Sequence, residues 1–522
     1  MRAKQESVNM MCSRKLLRAV GLAAVIAGGV LAAEPVLSAE NTLIWASRAS
    51  YKDWDPAATY SEETYVLGNV YETLTLYENG EVKPRLATSW EKSDDGKTWT
   101  MQLRKGVKFH DGYEFNAEAV KKSVEWTKSE GRGASYLWSG LTSIETPSSH
   151  TIVFKFKSPI ALDLVASGQY GSYIISPGAI KKGHDWMQKG QGYGTGPYKL
   201  VKVEPGVQVI LEKFDDYWGG WEKGQIDRVI VKTVAEGATR ILMIKSGEAD
   251  IASVPSDQVK TVDAFDGVSV TQGTSWRNSM FLFNFKKYPT NNAKFREALT
   301  YLWDYSAVLN DILHGIGTAP IGPLPKSMWG HGEYKMPAYD PQKARKLLEE
   351  SGIPKKDWKV SAMYIGSVGA YANSIELFQA TAGEVGVQVE LFPGDWGTIW
   401  DKAKKLETSA NIQSMTWWPA YATPQDWLYA QWRTEKKALF NLSFYSNPKF
   451  DKALDEAIAI EGVDVKKSVE KYIEAQDILM KNHPAIFFAD VDRYYAHSDK
   501  LKGMEKQFNP AYETLFVYDL RK

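Results

Sequence analysis

Beyond its first forty residues the chain alternates strand and helix periodicities with no Pro-, Gly- or Ser-rich linker between them. Domains strung like beads are joined by such linkers, so their absence predicts α/β domains that interleave along the sequence. The clearest strand pairs flank turn residues. Residues 86–90 and 98–103 bracket Asp94-Asp95-Gly96, where glycine accepts the positive φ of a tight turn. In the second run Trp99, Met101 and Leu103 alternate with Thr100, Gln102 and Arg104, which places one face in a core. Residues 198–204 and 207–213 repeat the design around Pro205-Gly206. Helices are equally legible. Asp340-Pro341 reads as an N-cap and a proline at the first helical position, with Ala344, Leu347, Leu348 and Ser351 on one face and Gly352 as the stop. Phe295, Ala298, Leu299 and Leu302 form a second stripe, and Ala453, Leu454, Ala457 and Ile458 a third. Between residues 360 and 391 the order is strand, helix, strand, with the helix near 375–385, a parallel crossover. With 522 residues the chain has length for roughly three to four domains' worth of core.

The first forty residues follow another rule. Arg2, Lys4, Arg14, Lys15 and Arg18 lead an apolar run over 19–33, and Val36-Leu37-Ser38-Ala39 ends in small residues. Fifteen apolar residues span about 22 Å as a helix, short of the roughly 30 Å hydrocarbon core. The segment therefore reads as an export signal cleaved near Ala39 rather than as an anchor. Cys12 is the one cysteine and precedes the apolar run, so it is not the lipid-modified cysteine of a lipoprotein, and the mature chain has no thiol. Five basic and two acidic residues leave with the leader, which turns a formal charge of zero into −3. That balance speaks against nucleic-acid and membrane-surface partners, which ask for cationic excess.

Motifs for chemistry do not assemble. The chain has no G-x-x-x-x-G-K-[ST], H-E-x-x-H, G-x-S-x-G or EF-hand pattern. Gly192-Tyr193-Gly194-Thr195-Gly196 resembles a phosphate loop, but Pro197 and a strand follow it, so it reads as a structural turn. The seven histidines show no helical pairing, which argues against a zinc site. No cofactor is expected, and no enzyme. What stands out is aromatic content: 19 Trp, 27 Tyr and 19 Phe. Trp417, Trp418, Tyr421, Trp427, Tyr429 and Trp432 crowd a segment broken by Pro419 and Pro424, with Trp396 and Trp400 shortly before. Prolines interrupt the regular element that would bury such rings, so the cluster reads as a ligand grip. Trp276-Arg277-Asn278 precedes a very apolar strand. Arg277 suits a bidentate bond to a ligand carboxylate and equally an ion pair within the fold.

One family resemblance runs nearly end to end. It starts at Asp55-Pro56 and Val70-Tyr71-Glu72-Thr73-Leu74, continues through Ser93-Asp94-Asp95-Gly96-Lys97-Thr98-Trp99-Thr100, and is most specific in Leu103-Arg104-Lys105-Gly106-Val107-Lys108-Phe109-His110-Asp111-Gly112. Gly194-Thr195-Gly196-Pro197-Tyr198, Asp216-Tyr217-Trp218 and Gly247-Glu248-Ala249-Asp250-Ile251 follow in order. On these residues the chain resembles family 5 of the extracytoplasmic solute-binding proteins of ABC importers, the dipeptide, oligopeptide and nickel-binding group. The resemblance implies an α/β, two-lobed periplasmic binding protein (class II-like) with an additional α/β domain and an interlobe ligand cleft. Lobe I is expected from 40–70, 195–275 and 490–522, the additional domain from 71–194, and lobe II from 276–489. His110 and Asp111 are then scaffold.

The same resemblance implies a soluble periplasmic receptor, expected to be a monomer, that closes on a small organic solute and delivers it to an ABC permease in the inner membrane. Peptide binders of the family carry an acid, for the peptide's ammonium, at the position that counts to Ala420 here. Asp426 is the nearest acid, and it serves equally as a cap of the following helix. The expected ligand-binding residues are Trp417, Trp418, Tyr421, Asp426, Trp427, Trp276, Arg277 and Asn278, with Tyr60 and Glu62 facing them from the other lobe. The solute is expected to be a peptide, with a short oligosaccharide or an opine as alternatives. Nickel is disfavoured because no histidine falls in these loops. A secreted hydrolase or a chemosensory receptor are the rival classes.

Overall fold

The computed structural model describes residues 41–49 and 51–522. The expected leader and its cleavage site lie outside them. Two long antiparallel strands, Val268–Phe283 and Ala485–Ser498, run side by side in the middle of a ten-stranded mixed sheet. On one side the sheet continues through Ile412–Trp417, Lys359–Ile365 and Gln388–Gly394. On the other it continues through Ile251–Ala252, Thr42–Ser47, Arg228–Thr233, Gln208–Lys213 and Tyr198–Glu204. The two central strands are thus shared by both halves.

Their sequences explain why. Met280, Phe281, Leu282 and Phe283 are all 0% exposed. Successive side chains leave a strand on opposite faces. Met280 and Leu282 accordingly join a core with Leu428 and Phe450, whereas Phe281 and Phe283 join another with Trp303 and Phe378. A strand covered on both faces reads as one apolar run, which is the pattern here. The pairing register breaks between Gly273 and Arg277, where the first strand holds extra residues opposite Val491–Arg493. Such a bulge bends the strand and re-aims its side chains. Gly273 fits there because a Cβ would come within 2.3 Å of the Phe508 side chain.

A separate four-stranded antiparallel sheet, ordered Ala87–Lys92, Thr98–Leu103, Thr151–Phe156, Leu141–Ser148, has its own core with the helix Ala117–Glu130. The hairpin forms as its turn residues require, with Gly96 at φ 67° and Trp99, Met101 and Leu103 buried. The loop at 192–196 is a packing device. A Cβ on Gly194 would lie 2.0 Å from the Val70 carbonyl oxygen, and one on Gly196 2.6 Å from that of Asn69. His110 closes the same corner: the Gly194 amide donates to its Nδ1 (3.3 Å), and its Nε2 lies 2.8 Å from the Gly196 carbonyl. Burial pushes the His110 pKa down to about 4, so the ring is neutral.

The helix Pro341–Glu350 starts as read, with the Asp340 carboxylate accepting from the Lys343 amide at 2.9 Å. The crossover is present, since Lys359–Ile365 and Gln388–Gly394 pair in parallel. Its helix spans Gly369–Val385 and so begins earlier than expected. Val368 offers no side-chain cap and Gly-Ala-Tyr-Ala carries no apolar stripe, so the first turn left no periodic signal.

Candidate ligand-binding site between the lobes

The aromatic segment does not form an open grip. Trp417 ends the strand Ile412–Trp417, and Pro424 opens the helix Pro424–Trp432 at its first position. Proline's missing N–H is harmless there and its fixed φ suits the first helical turn. Thr423 is the N-cap, its hydroxyl accepting from the Gln425 amide at 2.9 Å. Pro424 therefore starts a regular element instead of preventing one, and the rings are buried: Trp417, Tyr421, Trp427 and Trp432 are each at most 3% exposed. Trp427 meets the equally buried Trp276 edge-on at 6.4 Å. Trp418 alone of the four Trp and Tyr at 417–427 is half-buried, donating from Nε1 to the Tyr170 hydroxyl at 2.9 Å.

Of the two roles expected for Asp426, the helix cap belongs instead to Thr423. Asp426 Oδ2 accepts from the Ala420 amide (2.8 Å) and from Trp417 Nε1 (3.2 Å), which ties down its own loop. Its Oδ1 accepts from the Tyr136 hydroxyl at 3.1 Å, and the Tyr136 hydroxyl in turn lies 3.2 Å from the Tyr60 hydroxyl. Tyr60 is itself wedged, stacked on Tyr170 at 4.6 Å and set 4.9 Å from Phe440. Three remote parts of the chain thus converge on one buried carboxylate. Burial pushes its pKa up to about 7, against the pull of these hydrogen bonds. The seam extends through the Gln169 amide, which donates to the Ala420 carbonyl at 2.8 Å, and Lys92 Nζ, which donates to the Val463 carbonyl at 2.6 Å.

Of the two roles open to Arg277, the ion pair within the fold is present. Nε donates to Glu513 Oε2 at 2.8 Å, Nη2 contacts the same oxygen, and Nη2 also donates to the Tyr65 hydroxyl at 3.0 Å. Burial works against the guanidinium's charge, but Glu513 and Tyr65 outweigh it and raise its pKa. Its carbon lies 5.9 Å from the Trp418 ring centre. Asn278 is buried and donates to Asp490 Oδ1 at 2.9 Å, opposite it on the neighbouring strand. Glu62 lies 3.3 Å from Arg48. Arg48 follows the strand Thr42–Ser47 by one residue, at the carboxyl end of its parallel pairing with Arg228–Thr233.

The structure therefore joins Trp417, Asp426 and Tyr60 at one seam, sets Arg277 beside Trp418, and sends Trp276, Trp427 and Asn278 into packing. Histidine spacing had also hidden a cluster: Asp55, Glu130 and His184 come from three segments and bring ligand atoms within 4.8 Å of one another. Arg132 already sits among them, bonded to Glu130 Oε2 at 2.9 Å and 3.2 Å from His184 Nε2.

Two halves strung on a shared strand pair, with a further domain clasped to them across a buried seam, define a two-lobed solute-binding receptor. The chain belongs to the bacterial extracellular solute-binding proteins, family 5, whose model for the middle region matches residues 81–438. It is 29% identical over 492 residues to a probable D,D-dipeptide-binding periplasmic protein of Escherichia coli, covering 91% of this chain and 93% of that one. It is 30% identical to a glutathione-binding protein of Pectobacterium atrosepticum, over 95% and 97% of the two chains. Among solved structures, a Helicobacter pylori ABC transporter-associated periplasmic binding protein in complex with peptide STSA superposes with a TM-score of 0.81, at 26% identity, over 92% of this chain and 98% of that one. No helix among the described residues is long and apolar enough to cross a membrane.

Proposed function

We propose that this protein is the periplasmic receptor of an ABC importer, which closes its lobes over a small solute of the peptide class and presents the closed form to a membrane permease. In this reading 1–39 is the export signal, 40–70, 195–275 and 490–522 form lobe I, 71–194 the additional domain, and 276–489 lobe II. The observation that carries it is the seam at Asp426, where Tyr136, Tyr60 and Trp417 from three separated segments enclose a carboxylate. A hydrated carboxylate is costly to strip of water, so the seam belongs to the shut form and comes apart when the lobes open. The peptide class is supported by relatives whose names specify dipeptide and glutathione binding.

The mechanism is a population shift. A ligand that touches both lobes favours the closed form by its differential contacts. Moving a mostly open receptor from 1:99 to 99:1 takes about 5.5 kcal/mol of such preference. Burial of apolar surface supplies about 25 cal/mol per Å2 toward it. Trp418, half-buried beside Arg277, is the indole placed to contribute. The test is a thermal-shift screen of the purified protein against peptides, oligosaccharides and opines, followed by X-ray scattering on the hits. A melting shift confined to peptides together with a smaller radius of gyration is the expected result. A tightly held hit that leaves the envelope unchanged, or one that is turned over, would falsify the reading.

A further inference from the structure

One group of charged side chains shares no residue with the seam or with the Arg277 ion pair. Asp55, Glu130 and His184 come from three segments and bring ligand atoms within 4.8 Å of one another. Hydrogen bonds set their order. Asp55 is fully buried; its Oδ1 accepts from the Ala57 amide and its Oδ2 from His184 Nδ1, both at 2.9 Å. A carboxylate on Nδ1 fixes the tautomer, so the lone pair sits on Nε2. That nitrogen meets Arg132 Nη1 at 3.2 Å and lies 3.9 Å from Asp53 Oδ2. Arg132 in turn donates from Nε and Nη2 to Glu130 Oε2, at 2.9 and 2.8 Å.

The guanidinium thus stands where the cluster asks for a cation, and it holds that place loosely. Its side chain is 50% exposed and lies between Gly131 and Gly133, whereas His184 and Glu130 are mostly buried. Three carboxylates face this one guanidinium. Burial raises the pKa of Asp53 against the pull of both His184 and Arg132. A divalent ion brings twice the charge. Imidazole nitrogen together with carboxylate oxygen suits zinc, while calcium and magnesium take oxygen alone. Ligand atoms on tetrahedral zinc stand roughly 3.3 Å apart, given bonds of about 2.0–2.1 Å. The spacings of 3.9 and 4.8 Å therefore have to contract by no more than about 1.5 Å. The Asp55–His184 bond is the carboxylate support that metal-ligating histidines carry. Sequence spacing spoke against zinc only because these donors lie on three separate segments.

We infer that this cluster is a zinc site, in which His184 Nε2, Glu130 and Asp53 ligate the ion, Asp55 orients the imidazole, and Arg132 turns out into water to admit it. The bound ion ties residues 53–55 to the end of the helix Ala117–Glu130 and to His184. It therefore fastens the proposed additional domain to lobe I and leaves the solute cleft to its own chemistry.

The experiment uses the purified, untagged protein after chelator treatment. Calorimetric titration with zinc chloride should show one site, and a hundredfold excess over its Kd should raise the melting temperature by about 3 °C. Calcium and magnesium should not. Arg132→Gln removes the competing cation and should tighten zinc binding by about tenfold, the scale of one charge-assisted contact. His184→Asn keeps an N–H for Asp55 and loses Nε2, so it should weaken binding at least about a hundredfold. Anomalous diffraction at the zinc edge reads the native protein directly, with a peak about 2.0–2.1 Å from His184 Nε2 expected; it decides the matter if His184→Asn does not fold. Absence of zinc binding in both the native protein and Arg132→Gln overturns the inference. So does a His184→Asn variant that binds zinc unchanged, weaker binding by Arg132→Gln, equal stabilisation by calcium or magnesium, or an anomalous peak elsewhere.

Discussion

A single carboxylate can set the pH response of a molecule this size. Asp426 has its pKa pushed up to about 7 by burial, against about 3.9 in an unfolded chain. Between those values the folded form holds a proton that the unfolded form has released. Stability is therefore fullest below pH 4 with respect to this group and falls as pH rises to about 7, by about 1.4 kcal/mol per pH unit. The groups facing it, Tyr60, Tyr136 and Tyr421, are raised well above their usual range and stay neutral throughout. Asp490, pushed up to about 7 by burial, and Glu461, to about 8, pull in the same direction. Melting temperatures measured from pH 5 to 8 should decline across that window. Asp426→Asn keeps an oxygen for Ala420 and Trp417 without the charge, so it should flatten the decline and raise stability at pH 8. Parallel curves for the two proteins would remove Asp426 as a cause.

At the level of elements, legibility followed period and turn chemistry. The strand Thr98–Leu103 was readable because one face is buried and the other is not, and Pro341–Glu350 because its cap and stop are both in the sequence. The segment at 417–432 was misread because proline was taken as a breaker when it sits at the first helical position. Only Gln425 and Tyr429 are partly exposed, and Leu428, Ala430 and Trp432 are buried together with Asp426 and Gln431, so the helix shows little polar face. The cap residue Thr423 carries that start. Thr423→Ala should lower stability by about 1 kcal/mol, measured by urea unfolding, and Thr423→Ser should recover most of it. If alanine and serine behaved alike, the side-chain cap would be irrelevant and the proline alone would hold the helix start.

For the whole molecule the contact to probe is the one that the proposed closure makes. Tyr136→Phe deletes the hydroxyl that reaches Asp426 and lies beside the Tyr60 hydroxyl. It should weaken the tightest solute of the screen by about 1–2 kcal/mol, roughly 5- to 30-fold in Kd, and shift the scattering envelope of the free protein toward the open form. Unchanged affinity would mean that the seam does not report closure. By itself the amino-acid order determined the elements, the interleaving of α/β segments and the family, because periodicity, caps and turns are local and repeat along the chain. Only the tertiary structure decided which aromatics are core, that Asp426 is a clasp, that Arg277 is spent on Glu513 and that Arg48 is exposed. Those outcomes depend on contacts between residues up to several hundred positions apart, such as Arg277 with Glu513 and Tyr136 with Asp426. Burial and partnership set the chemistry of a charged or aromatic side chain, and neither is written in its sequence neighbours.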